Sequence, residues 1–294
     1  MPRLSRVTTA CIVTAIAFTA GCTKKVANDV PVATPRVTLS RPQPALGSPV
    51  EITYTFAVAP DASFGEDYWV MVHFFDPDRE QMWTDDHQPP TPTSQWKPGQ
   101  TITYTRTLFV PIFPYVGPAT IEVGLFSPTS KNRLPLKGDD SGQRSYKVAS
   151  LDVRPQSDSV FLVYKDGWHP AEVSGDNNAV AWQWTKGHAT LTFRNPRRPV
   201  LFYLDVDSPV AAHLPPQSVE VTVGTTVVER FVLEPTARLL RKVPIALDEL
   251  GAEDSVELHV RVDKTYVPAN VPELNSRDFR ELGVRVFHAF VQPQ

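Results

Sequence analysis

The chain has 294 residues, a formal net charge of −3 and 41% hydrophobic residues, enough apolar material to close two domains of ordinary size. Nucleic acid is excluded as a partner by this acidic balance, since phosphate binding needs a positive field and no Lys/Arg run stands clear of acidic neighbours. Two cysteines in all cannot form a disulfide framework, so stability has to come from apolar burial.

The first residues fall into three zones: a basic start with Arg3 and Arg6, an uncharged apolar run over 7–20, and the small-residue ending Thr19-Ala20-Gly21-Cys22. This is the layout of an export signal. The run is shorter than the roughly 20 residues a helix needs to cross the hydrocarbon core, which argues against a permanent span. The ending resembles the bacterial lipobox, in which small residues precede a cysteine whose sulfur receives a diacylglycerol before cleavage. Thr19 stands where that motif usually carries Leu. The resemblance implies a signal peptide over 1–21, a lipid on Cys22, and an exported protein anchored to the envelope membrane. In enteric lipoproteins an Asp after the cysteine retains the protein in the inner membrane, so by the same resemblance Thr23 points to the outer membrane. The alternative is an ordinary signal peptide with an incidental cysteine. Cys11 and two arginines leave with the signal, so the remainder has no thiol pair and sets 27 basic residues against 32 acidic ones.

Residues 22–35 are small and polar, contain prolines and have no periodicity; they read as a flexible tether. Over 36–154 the spacing changes to period two, which places alternate side chains on one face of a strand. Val50, Ile52, Tyr54, Phe56 and Val58 alternate with Glu51, Thr53, Thr55 and Ala57, and the pattern recurs at 68–75, 101–110, 119–126 and 146–153. With turn residues bounding each run and no helical period between them, this predicts an antiparallel sandwich of about seven strands. A polar join containing Pro155 precedes a second series over 157–294. Strands are expected there at 159–164, 179–185, 189–194, 200–206, 218–223, 228–233, 239–245, 255–262 and 284–291. Short strands in this number suit a jelly roll or a similar two-sheet fold, with helical turns only at 247–251 or 277–282. Prolines cluster in the connections at 88–92 and 214–216, where a missing N–H breaks no ladder.

Two resemblances extend this reading. Val72-His73-Phe74-Phe75-Asp76-Pro77-Asp78, then Pro92-Thr93-Ser94-Gln95-Trp96-Lys97-Pro98-Gly99, Val123-Gly124-Leu125-Phe126 and Arg133-Leu134-Pro135-Leu136 together resemble an immunoglobulin-like module found outside bacterial membranes. Similar modules follow membrane-bound sugar transferases or sit in cell-surface proteins. Gly167-Trp168-His169-Pro170-Ala171-Glu172, Trp182-Gln183-Trp184 and the segment 278–286 are similar to accessory β-sandwich segments of polysaccharide-assembly proteins, which look like carbohydrate-binding modules. The expected fold is therefore all-β: two consecutive antiparallel β-sandwiches, the first immunoglobulin-like and the second jelly-roll-like.

Sugar recognition on such scaffolds uses aromatic faces for C–H groups and carboxylates or amides for hydroxyls. Trp168, His169 and Glu172 form the leading candidate, in a loop after a strand and followed by Asp176, Asn177 and Asn178. Glu172 has a second reading, an ion pair with Arg280 or Arg285 that closes the sandwich. Trp83 and Trp96, beside Asp85, Asp86 and His87, form a second candidate; the competing role for Trp96 is a plug before the Pro98-Gly99 turn. Trp182 and Trp184 share a face with Val180 and read as core. Asp166, Asp176, Asn177 and Asn178 are oxygen ligands of the kind calcium takes, but their spacing matches no EF-hand loop and solvated turns are the default. Arg194-Asn195-Pro196-Arg197-Arg198 reads as a solvated turn.

Catalytic patterns are missing. No histidine lies two to four residues from another, and there is no G-x-S-x-G elbow or phosphate-binding glycine loop. His73 and His259, each within a strand, read as structural. Paired carboxylates for glycoside hydrolysis need no sequence proximity and stay open. The sequence predicts no enzyme, no cofactor and no resident metal. It predicts a lipid-anchored envelope protein that recognises polysaccharide or a partner protein; the alternative is an assembly lipoprotein whose sheet edges pair with other envelope subunits.

Overall fold

The computed structural model describes residues 30–112, 115–156, 161–174, 180–208 and 215–294. The signal segment, Cys22, Asp176, Asn177 and Asn178 lie outside them.

The first sandwich is built from β1 (Ala33–Leu39), β2 (Pro49–Val58), β3 (Trp69–Phe75), β4 (Gln81–Thr84), β5 (Thr101–Phe109), β6 (Gly117–Phe126), β7 (Arg133–Leu134), β8 (Asp139–Asp140) and β9 (Tyr146–Val153). One sheet has the order β1-β2-β5 and the other β4-β3-β6-β9-β8, with β7 paired to β6. That division of early and late strands is immunoglobulin-like. Period two drives it: Val50, Ile52, Tyr54, Phe56 and Val58 of β2 are buried, while its outward threonines meet those of β5, Thr53 with Thr105 at 2.8 Å and Thr55 with Thr103 at 3.3 Å.

β1 opens at Ala33, which is 1% exposed, so the sandwich begins inside the span read as tether. Pro35 disguises the pattern, yet it is tolerated because β1 is an edge strand and a missing N–H there costs no ladder bond. After β1 the chain crosses to the other sheet, where Pro42 and Pro44 need only their carbonyls: these accept from Asp152 N–H at 2.8 Å and Arg154 N–H at 2.9 Å. The short strands β4, β7 and β8 have two to four residues, too few to show a period.

The second sandwich comprises β10 (Val163–Tyr164), β11 (Glu172–Val173), β12 (Ala181–Trp184), β13 (His188–Arg194), β14 (Val200–Asp207), β15 (Gln217–Val223), β16 (Thr226–Leu233), β17 (Arg238–Ile245), β18 (Ser255–Val262) and β19 (Arg285–Pro293). Its sheets run β10-β13-β18-β15-β16 and β11-β12-β19-β14-β17, so the chain passes repeatedly from one to the other in jelly-roll fashion. Leu191, Phe202, Leu204, Val219, Val221, Leu258 and Val260 fill the space between them, all fully buried. This core shares no residue with that of the first sandwich. Where the two meet, His288 stacks on Phe109 at 4.2 Å and Lys242 pairs with Glu51.

Of the two helical turns expected in the second half, one forms a turn and the other does not. Residues 247–250 are a turn, whereas 277–282 is irregular and ends in a bridge, Leu282 and Tyr266 exchanging N–H···O bonds of 2.8 and 2.9 Å. The helical pieces among the described residues are single 3-10 turns at Thr93–Gln95, Pro268–Asn270 and Pro272–Leu274.

Candidate ligand-binding groove on the second sandwich

Strand parity sends Phe202, Leu204, Val206, Val286 and Val291 inward and leaves a second set on the outer face of the sheet β11-β12-β19-β14-β17. The registers put Trp184, Arg285, Asp207 and Arg238 in one row across four strands. A bulge in β19, where Asp205 faces His288 but Val206 faces Val286, inserts Phe287 beside that row. Arg285 grips Asp207 through Nε (2.9 Å) and Nη2 (2.6 Å) and lies 5.0 Å from the Trp182 ring and 4.9 Å from Phe287. Arg238 grips Asp205 in the same two-pronged way and sits 3.8 Å over Phe287. Charge-assisted forks and ring faces together hold these guanidiniums in one geometry.

The loop 266–282 rises over the β12 end of this face and leaves an open groove of about 360 Å³ between itself and the two tryptophans. Gly283 permits the close approach: a Cβ there would stand 2.5 Å from Lys186 O and 2.5 Å from Thr185 Oγ1. Tyr266 meets Trp184 edge-on at 6.1 Å. Across the groove Arg280 Nη1 donates to Glu172 Oε1 at 2.7 Å, while its Nε and Nη2 hold Asp278 at 3.0 and 2.7 Å. Trp182 Nε1 donates to Glu172 Oε2 at 3.2 Å. Hydrogen bonds from Arg280 keep the Asp278 carboxyl below the usual carboxylate range, and the Asp278 contact pushes the Arg280 guanidinium up. Burial pushes the Tyr266 phenol up as well. Asp278 and Arg280 therefore stay charged, and Tyr266 neutral, across the physiological range. The result is a polar slot with an aromatic wall. Glu172, with one donor on each oxygen, keeps lone pairs to accept hydroxyl protons, while Asp278 is taken up by Arg280, and the rings offer faces to apolar C–H groups.

Of the leading candidates, Glu172 alone lines the groove, and it is paired with Arg280, one of its two expected partners. Trp168 is a wedge: Nε1 donates to Thr190 O at 2.8 Å, its ring meets Tyr164 at 4.7 Å, and it packs on the second core. His169 bonds Glu281 O through Nε2 at 2.7 Å and so steadies the loop from behind. The core assignment is corrected for Trp182, which is only half-buried; Trp184 is buried as expected, but outside the second core. Val286, opposite Gln183, fills the inner face. Both tryptophans point outward, Trp182 half-buried as a groove wall and Trp184 buried among Arg285, Tyr266 and the loop.

Trp83 and Trp96 are interior to the first sandwich. Trp83 stacks on Phe74 at 4.7 Å; Trp96 packs against Phe56 and Phe64 and donates to Thr91 O at 2.8 Å, which is the plug role. Neither presents a face to a ligand. Beside them lies a closed polar cluster. Asp85 accepts from Arg106 (2.8 and 3.1 Å) and from the Tyr54 hydroxyl (3.1 Å), while His87 bonds Asp85 O and the Tyr104 hydroxyl. Burial pushes the His87 imidazole down and the two phenols up. Asp86 accepts from Val72 N–H at 2.8 Å with His73 at 3.4 Å, and His259 bonds Thr190 Oγ1 at 3.1 Å.

The basic run is a structural turn. Asn195 is 6% exposed, and its amide donates to the carbonyls of Leu250, Gly251 and Glu253 while Oδ1 accepts from Arg197 N–H. It borders a wider concavity of about 850 Å³ beside Phe161 and Pro293, whose carboxylate, Asp254, is taken by Arg197. Of the calcium-type ligands, Asp166 uses its carbonyl on Thr190 N–H. Among the described residues no three acidic, histidine or cysteine side chains gather as a metal-binding group. Tyr266 carried no signal in the sequence; Asp278, Phe279 and Arg285 stood in the quoted segment 278–286, Arg285 only as a possible ion-pair partner of Glu172 and none of them as a ligand contact. Asp205 and Asp207 in the otherwise apolar β14 were the available signal for a decorated outer face.

No protein-family model matches the chain, and no curated protein does. Solved structures similar to it include a family GH115 4-O-methyl-alpha-glucuronidase, BtGH115A, with specificity for decorated arabinogalactans, at 14% identity over 52% of this chain and 20% of that one, TM-score 0.33. The CBM22-1-CBM22-2 tandem domain of Paenibacillus barcinonensis Xyn10C is 10% identical over 85% of this chain and 79% of that one, TM-score 0.28. The Bacteroides ovatus mixed-linkage glucan utilization locus SGBP-B, in complex with a mixed-linkage heptasaccharide, is 11% identical over 85% and 51%, TM-score 0.25. The chain spans about a fifth of the length of the first of these. Identities and scores this low carry neither ligand nor activity across.

Proposed function

We propose that the protein binds polysaccharide in the groove of its second sandwich and is held in the cell envelope, at the outer membrane, by lipid on Cys22. The observation that carries the binding reading is the meeting of the Trp182 and Tyr266 rings with the Glu172 and Asp278 carboxylates, Trp182 flanked by Arg285, both carboxylates held by Arg280 and Tyr266 set against Trp184 and Leu282. Preorganisation of this kind lowers the ordering cost of binding. The lipid reading rests on the lipobox-like ending at Cys22. We read the site as binding without turnover, because Glu172 and Asp278 are both engaged by the one Arg280 guanidinium.

The test is a glycan array probed with the full chain and with Trp182→Ala. Wild type binds at least one polysaccharide, and the variant loses about 2 kcal/mol, roughly thirtyfold in Kd, as expected for a tryptophan anchor. Absence of binding to every glycan, or undiminished binding by the variant, overturns the proposal.

A further inference from the structure

We infer that the ligand is an uncharged glycan chain, held by an internal stretch of sugars, and that Phe279 extends the groove as an outlying aromatic platform; the inference rests on the groove being a glycan site. The first ground is charge. Three carboxylates, Glu172, Asp207 and Asp278, surround two guanidiniums. All three nitrogens of Arg280 are engaged, Nη1 by Glu172 and Nε and Nη2 by Asp278. Arg285 has Nε and Nη2 on Asp207 while the rings of Trp182 and Phe287 flank it. Among the described residues that line the groove, the two cations, Arg280 and Arg285, are already paired to carboxylates, and a uronate or a sulfate entering here faces three carboxylates against two guanidiniums. A hydroxyl meets Glu172, whose oxygens each hold a single donor and keep acceptor capacity to spare. Neutral sugars fit this pattern and anionic ones do not.

The second ground is shape: among the described residues the groove is shallow and open along the surface, with no wall that closes around a chain end. The third is Phe279, which is 78% exposed. Single exposed apolar side chains are ordinary on protein surfaces. This one differs in that both neighbours line the groove and its loop is pinned, Ala269 N–H bonding Asp278 O at 2.8 Å and Arg280 N–H bonding Asp278 Oδ1 at 2.9 Å. A ring presented by fixed backbone loses little freedom on stacking.

The experiment titrates the full chain with neutral polymers (mixed-linkage glucan, arabinoxylan, galactomannan) and acidic ones (alginate, polygalacturonate, hyaluronan), at about 50 and about 500 mM salt. A neutral polymer binds, acidic polymers bind at least about tenfold more weakly, and the affinity for the neutral polymer changes less than about twofold with salt. Phe279→Ala keeps the wild-type melting temperature and weakens binding by about three- to tenfold. Preference for an acidic polymer, or binding that collapses at high salt, overturns the neutral-ligand inference while leaving the groove as the site. Full affinity in Phe279→Ala removes the platform. Failure of every polymer to bind, or Trp182→Ala binding like wild type, overturns the groove reading itself.

Discussion

Replacing Trp168 by Ala separates a wedge from a ligand contact. Full burial would set a Trp→Ala truncation at about 3–5 kcal/mol, and the half-buried indole of Trp168 brings that to about 2–3 kcal/mol. Loss of the Nε1 bond adds less than about 1 kcal/mol, because Thr190 O still accepts Lys165 N–H at 2.9 Å and is not left unpaired. A total of about 3 kcal/mol, at about 3–4 °C for each kcal/mol in a domain of this size, lowers the melting of the second sandwich by about 10 °C. The assay is thermal unfolding followed by tryptophan fluorescence, with glycan affinity measured well below both transitions. There Trp168→Ala binds within about threefold of wild type, whereas Trp182→Ala melts within about 4 °C of it and loses binding. A Trp168→Ala protein that keeps its melting temperature and loses glycan binding would return Trp168 to the site and refute the assignment of roles.

The first sandwich should be acid-sensitive through His87. Its imidazole is pushed below the ordinary 6.5 by burial, so the unfolded chain takes up that proton first as pH falls. The contribution is complete above about pH 6.5 and declines as pH drops toward the folded value, by at most about 1.4 kcal/mol per pH unit. Urea melts of wild type and His87→Gln between about pH 7.5 and pH 5 check this; identical slopes count against it. Asn195→Ala, which removes the peg under the 194–198 turn and an acceptor for Arg197 N–H, costs about 2 kcal/mol by denaturant titration, and a loss below about 0.5 kcal/mol contradicts the peg. Cys22→Ala moves the protein from the membrane to the soluble fraction on cell fractionation, and unchanged membrane retention refutes the lipid anchor.

Most strands were readable because alternation is local. A residue and its second neighbour occupy one face whatever the rest of the chain does, so β2, β5, β13 and β18 stand out in sequence. β1 did not, because Pro35 interrupts its pattern, and β11, of two residues, has no pattern to show. Parity says which side chains share a face but not which face is the core. In β12 either side was eligible, and Trp182 and Trp184 were assigned inward because they share a face with Val180, which is itself 40% exposed. Val286 took the inner space, and Trp184 found its burial on the outside, beneath a loop more than eighty residues away in sequence.

That loop marks the limit of what a sequence can carry here. From its residues alone the chain determined an all-β fold in two sandwiches, a core of alternating apolar side chains, and a cysteine placed like a lipid-bearing first residue; each depends on neighbours a few positions apart. The groove depends on Arg280 reaching Glu172 across 108 residues, on Gly283 admitting the chain against Thr185 and Lys186, and on a bulge that turns Phe287 outward. Side-chain forks and close approaches of this kind are settled only when the sheets pack, so tertiary structure decided which of the tryptophans faces a ligand.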